Sequence, residues 1–250
     1  MSGAGRSPRA FAGLVWPSLV ALAAFVVLVG LGIWQVERKA WKEALIDALG
    51  ERLAAAPAAL PPPERWSALD PDQDEFRRVT FAAAFAPNQE ALVYGAGSAF
   101  RPDVSGPGYW VFAPATLATG ATVVVNRGFV PEGQQEAATH APPAGRVQMV
   151  GALRWPEPRG WFAPKDDPAH NLWFVRDPLA MADAKGWGRV APFYVELETP
   201  TGNLPRAGRL TPSLRNDHLQ YAITWFGLAA VLAISFAFWV RSRRRELSPR

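Results

Sequence analysis

Three histidines, no cysteine and 26 basic against 22 acidic residues set the limits of side-chain chemistry in this 250-residue chain. The lack of thiolates removes thiol catalysis and the copper or zinc centres built on sulfur. His140 (in THAPP) and His170 (in DPAHN) stand in polar, loop-like surroundings. No serine occupies a GxSxG nucleophile elbow, and Gly95-Ala96-Gly97 opens no helix that would make it a phosphate loop. Asp70, Asp72 and Asp74 lack the later glycine and glutamate of a calcium loop, and with Asp166-Asp167 they read as solvated loop charges. No enzyme is expected. Two residues hold more interest. His218 follows Asp217 at the threshold of a long apolar run. Arg127, in TVVVNRGFVP, shares a strand face with Val123 and Val125. A structural arginine paired with a carboxylate is the expectation there, and a receiver for a ligand's carboxylate is the alternative.

The elements that must position these residues begin with two apolar runs. Leu219 to Val240 holds 22 residues without a charge, and Ala10 to Val36 holds 27. At about 1.5 Å per residue a helix of 20 such residues spans roughly 30 Å, the hydrocarbon thickness of a bilayer. Both runs are expected to cross the membrane, and Trp16, Trp34, Trp225 and Trp239 lie near their ends as interfacial anchors. A cleaved signal peptide is the rival reading of the first run, with Ala21-Leu22-Ala23 as its cleavage site. The run continues far beyond those alanines, which favours an uncleaved anchor.

Basic residues fix the direction. The tail after Val240 carries Arg241, Arg243, Arg244, Arg245 and Arg250 against Glu246, which is five minus one, or +4, the net charge of the whole protein. The other 240 residues sum to zero, so no basic surface remains for nucleic acid. Arg6 and Arg9 place the N-terminus on the same, cytoplasmic side, although Arg38, Lys39 and Lys42 just past the first run count the other way.

The expected organisation is a cytoplasmic tail (1–9), a first transmembrane helix (10–36), an amphipathic helix (37–56), an external β-rich domain (57–218), a second transmembrane helix (219–240) and a basic cytoplasmic tail (241–250). In the amphipathic stretch Trp41, Leu45, Leu49 and Leu53 recur every four residues, a stripe suited to packing on the domain, and the helix must end at or before Pro57. Between Pro57 and Pro212 lie 21 of the 24 prolines, which forbids long helices there. Strands are expected at 76–85, 91–94, 109–113, 122–130, 146–155, 172–175 and 192–198, forming an antiparallel sheet or barrel. A short helix is expected at 177–185, with Asp177 as its cap and Pro178 in its first turn. In SGPGYWVFAPA, the glycines around Pro107 are expected to turn the chain before a strand. The fold class is thus a membrane protein with two transmembrane α-helices enclosing an external α+β domain.

GIWQVERKAWK after the first run, GPGYWVFAP and VVVNRGFVP in the middle, and NDHLQYAITWFGLA entering the second run resemble, in order and in topology, the motifs of the Surfeit locus protein 1 family. The resemblance covers nearly the whole chain. It implies an assembly factor for haem-A-containing cytochrome c oxidase, assisting haem A delivery to subunit I or its retention there. It also implies the partners: oxidase subunit I, proteins of haem A biosynthesis or assembly, and the lipid bilayer. A bacterial plasma membrane is expected over the mitochondrial one, because nine residues before the first crossing leave no room for a transit peptide. The domain would then be periplasmic and both termini cytoplasmic.

The family's histidine at the start of the second helix corresponds to His218, and the resemblance implies that it contacts haem A bound in passing. An imidazole can ligate haem iron, and Tyr221 and Trp225, three and seven residues on, share its helix face. An interfacial histidine that caps the helix or reaches water is the plainer reading. A scaffold for subunit I without haem contact is the main functional alternative. A copper-delivery factor is weaker, since Met149, Met181 and isolated histidines make no copper site. Ala229, Ala233 and Ala237 form a small-residue stripe that would admit either the first crossing, through Gly30 or a neighbour, or another subunit.

Overall fold

The computed structural model describes residues 8–136 and 141–246. In chain order its elements are α1 (Pro8–Ala54), β1 (Ala58–Ala59), a 3-10 turn (Pro63–Ala68), α2 (Pro71–Asp74), β2 (Arg78–Phe85), β3 (Ala91–Ser98) and β4 (Arg101–Leu117). There follow β5 (Thr122–Pro131), β6 (Arg146–Arg154), a second 3-10 turn (Pro168–His170), β7 (Leu172–Trp173), α3 (Pro178–Lys185), β8 (Val190–Leu197) and α4 (His218–Glu246). Two compact units result: Met1–Leu45 with Arg215–Arg250, and Ile46–Leu214.

In the first unit α1 and α4 are both long and apolar enough to cross a membrane, with mean hydropathies of 2.5 and 2.0. Only 0 % and 6 % of their most apolar stretches are buried, whereas a core helix of a soluble protein hides its apolar face. The outward side chains, Leu22, Val26, Val27, Val231 and Ile234 among them, are what lipid demands. The helices meet through small residues. Ala222 and Ala229 are buried, Ala233 and Ala237 line a cleft with Ser18, Ala21, Leu22 and Phe25, and a side chain at Gly32 would stand 2.6 Å from the Phe226 ring. The stripe therefore serves the first crossing, and Gly32, not Gly30, is the point of close approach.

The second unit is built on a closed barrel. β2 pairs with β6, β6 with β8, β8 with β5, β5 with β4, and β4 again with β2. This five-stranded Greek-key circuit is of the kind found in OB folds. An odd number of strands cannot alternate direction all the way round, so one pair must be parallel, and it is β5 with β8. Strict alternation along β2 (Val79, Phe81, Ala83 and Phe85 buried) fills the interior with Val123, Val125, Met149, Leu153, Phe193 and Val195 from the other strands. Trp66 in the first 3-10 turn plugs one opening, its ring edge-on to Phe193 at 5.6 Å and its Nε1 donating to Pro61 O. The stiff Pro61-Pro62-Pro63 run presents that turn.

Outside the barrel β3 extends β4, and β7 lies parallel to β3. α3 covers this outer face with Met181 and Ala182 against Trp110, Phe112, Val124 and Tyr194. Its Asp177 cap accepts from the Leu179 and Ala180 amides, as the sequence leads one to expect. α1 ends at Ala54, ahead of Pro57, but its stripe is only half used for packing. Leu49 and Leu53 join Phe76, Ala152 and Leu210, while Trp41 is 52 % exposed with the Arg38 guanidinium 3.8 Å above its ring. β4 also departs from expectation. It starts at Arg101, so the SGPG segment lies within a strand instead of ahead of one. Gly108 is needed there because a side chain would fall 2.4 Å from both the Phe129 ring and the Val130 carbonyl.

Candidate functional site

Asp217 and His218 open α4. The Asp217 carbonyl accepts from the Tyr221 amide at 3.3 Å, and its carboxylate stands at the positive end of the helix dipole. It also pairs with Arg215 at 2.5 Å, and that hydrogen bond raises the pKa of the arginine. The acid at this threshold is thus a helix-start residue. The histidine has a different partner: His218 Nδ1 lies 2.6 Å from Oε1 of Gln35 on α1. Gln35 is 8 % exposed. An amide oxygen can only accept, so in this contact Nδ1 is the donor.

Lys42, two turns beyond Gln35 on α1 and on the same face, donates to the Arg215 carbonyl. The GIWQVERKAWK and NDHLQY segments are thereby pinned to each other. Tyr221 is 55 % exposed and Trp225 half-buried. The contact orients the imidazole through one ring nitrogen, the other has no hydrogen-bond partner among the described residues, and Tyr221 and Trp225 share its helix face. Gln35 was the residue that sequence reasoning missed. Its only signal was a lone amide near the end of an apolar run.

A second polar assembly lies on the outer face of the barrel. Strand register sets Arg154 beside Tyr194, Tyr194 beside Val124, and Glu196 beside both Asn126 and Ala152. Arg154 reaches Glu75 at 3.1 Å, Glu196 at 3.3 Å and Glu157 at 3.5 Å. Arg176 stands 4.8 Å over the Trp110 ring and 3.9 Å from Glu196. Burial alone would lower the pKa of Arg154, but Tyr194, Glu196, Glu75 and Glu157 outweigh it and hold it above its ordinary value. Burial pushes Tyr194 up to about 12. The cluster is an ionic clamp under the loops that cover β6 and β8.

Arg127 lacks, among the described residues, the carboxylate partner that its strand position implied. A β-bulge places both Arg127 and Gly128 opposite Val111, between the pairs Asn126–Phe112 and Phe129–Trp110. Gly128 has φ +124°, and a side chain there would sit 2.4 Å from the Arg206 backbone, so glycine is required twice over. Arg127 does face the Val123 side, 5.4 Å over the Phe85 ring. It is fully buried, yet none of its three guanidinium nitrogens has a hydrogen-bond partner among the described residues. The expected carboxylate pairing is absent there. Burial lowers its pKa to about 10, opposed only by the more distant charge of Glu90.

The remaining candidates are structural. Asp70 caps α2, Asp74 pairs with Arg77, and Asp166 pairs with Arg159 and accepts from the Phe174 amide. Asp167 accepts from the His170 amide and meets its ring at 2.7 Å. These acids are thus more than solvated charges. His140 lies outside the described residues.

Comparison with known proteins places both segments of the His218 site in one matched span. The sequence model described as the SURF1 family matches residues 22–230. A SURF1-like protein of Monosiga brevicollis is 36 % identical over 247 residues, covering 93 % of this chain and 88 % of its own length. Surfeit locus protein 1 of Rattus norvegicus is 34 % identical over 232 residues, 86 % of this chain and 72 % of its own. A SURF1-like protein of Drosophila melanogaster is 36 % identical over 232 residues, 85 % and 72 % respectively.

Proposed function

The chain belongs to the SURF1 family, and from that premise we propose that it is a non-enzymatic assembly factor for haem-A-containing cytochrome c oxidase. It assists the delivery of haem A to subunit I or its retention there, and it holds that haem in passing as cargo. The observation that carries this reading is the His218–Gln35 pair at 2.6 Å. A histidine ligand to a metal commonly donates its second ring N–H to a fixed acceptor, which sets the ring's orientation and raises its basicity. His218 would bind the iron through Nε2, Gln35 would hold the ring, and Tyr221 and Trp225 would flank the macrocycle. The arginine-rich end of α4 supports a cytoplasmic C-terminus and an external β-rich domain.

Haem co-purification from cells that make haem A tests the proposal. His218→Ala should abolish the Soret band while the protein still inserts, and Gln35→Leu should weaken it with His218 intact. An unchanged band in His218→Ala would sink His218 as the haem ligand, and the lack of a Soret band from the parent protein at any loading would leave the scaffold reading in its place. Deleting the gene should leave subunit I poor in haem A or the oxidase poorly assembled; a fully loaded, normally abundant oxidase would refute the oxidase role itself.

A further inference from the structure

The loop joining β6 to β7 carries the two most exposed large hydrophobic side chains described, Trp161 at 95 % and Phe162 at 94 %. They exceed even Trp16 on α1, at 72 %. The loop is held shut below them. Ala163 N donates to Gly160 O at 3.0 Å, which turns the tip. Arg159 reaches across to the Pro164 carbonyl and the Asp166 carboxylate, and Asp166 in turn accepts from the Phe174 amide at 2.7 Å. Prolines 158 and 164 stiffen both arms. The tip, Gly160 to Pro164, has no charge, while Arg159 and Lys165 bracket it. Two rings are thus held out in water by a closed base, with little conformational entropy left to lose on burial.

A bilayer is close at hand. Leu214 ends the β-rich unit and His218 begins α4; four Cα steps reach about 14 Å at most, so the domain is tethered beside the membrane that α4 crosses. Tryptophan and phenylalanine favour the headgroup zone, and Lys165 beside the tip suits a lipid phosphate. A protein partner fits less well. Two rings offer roughly 300–500 Å², short of the roughly 800 Å² per side of a specific interface.

We propose that the Trp161–Phe162 tip inserts into the interfacial zone of the bilayer and so fixes how the β-rich domain is turned on the membrane. The proposal rests on the two membrane-length helices and is independent of the oxidase role. Because the chain has no cysteine, a single introduced one takes a nitroxide label uniquely. In full-length protein in lipid nanodiscs, a label on Ala163→Cys should collide with oxygen several-fold more than with an aqueous nickel chelate, and a label on the exposed Ser67→Cys should show the reverse. Adding Trp161→Ser and Phe162→Ser should return the 163 label to the behaviour of position 67 without lowering Tm, since the rings bury almost nothing. Equal nickel access at 163 and 67 in the parent would overturn the proposal. So would shielding of the 163 label from oxygen and nickel alike, which would mean a protein contact.

Discussion

Replacing Arg127 by methionine should make this protein more stable. Its guanidinium is fully buried and has no hydrogen-bond partner among the described residues, and burial holds its pKa at about 10 against an ordinary 12.5. That gap corresponds to about 3 kcal/mol against the charged form in the fold. Solvent screening and relaxation, taken at half, leave about 1–2 kcal/mol. The sign follows from the direction: a cation with a lowered folded pKa destabilises at neutral pH, and the penalty fades as pH rises through about 10. Methionine keeps the length of the side chain and its contact with Phe85, and it removes the charge. Thermal scans of purified protein at pH 7, followed by tryptophan fluorescence at one scan rate, should show Tm rising by about 3–6 °C. The gain should hold up to about pH 10 and shrink only above it, and Arg127→Lys should show none. A fall in Tm for Arg127→Met would refute the reasoning and mean that the guanidinium has a stabilising partner. A buried guanidinium without a partner among the described residues suits a ligand's carboxylate, so oxidase assembly should nonetheless drop in the stabilised variant.

Gly128→Ala should cost several kcal/mol and appear as lost folded protein on size exclusion, since it meets both the +124° backbone and Arg206 at 2.4 Å. Gly120→Ala, with φ +83° but open space, should cost only about 1 kcal/mol by denaturant titration. Arg154→Met strips Glu196 of its nearest guanidinium and should destabilise by about 3 kcal/mol in the same assay. Tyr194 ionises near pH 10 when unfolded but at about 12 in the fold. The stability it contributes is complete below pH 10 and lost as pH rises toward 12. Tyr194→Phe should flatten that alkaline loss in Tm-versus-pH scans, and an unchanged slope would count against the buried phenol as its source.

Much of the architecture could be read from local pattern, because local pattern causes it. Charge-free runs produced α1 and α4, Asp177 capped α3, and alternation from Val79 to Phe85 put β2 on the barrel wall. Closure of β4 onto β2 was not legible, since it depends on Ala83–Phe85 meeting Ala115–Leu117 far along the chain. Nor was the length of β4, whose glycines and prolines mimic a turn. Arg154 and Glu196 carry charges that from sequence suit a solvated strand face, and only the loops laid over them bury the pair. Arg127 was placed on the correct face by alternation, but a missing partner leaves no trace in sequence.

The His218 site shows the same division and constrains how a carrier would work. Gln35 and His218 are 183 residues apart, so the orientation of the imidazole exists only when α1 and α4 are packed together. The buried member of the pair is the glutamine, at 8 % exposure, while Tyr221 on the histidine's own helix is 55 % exposed. A group bound through Nε2 against Tyr221 would therefore lie on an outer flank of the helix pair instead of in a closed cavity between them. Such a flank retains cargo less firmly than a closed pocket, but it leaves one side open to a partner in the plane of the membrane. For a protein whose proposed task is to pass haem on, an oriented ligand on an open flank suits transfer better than enclosure does.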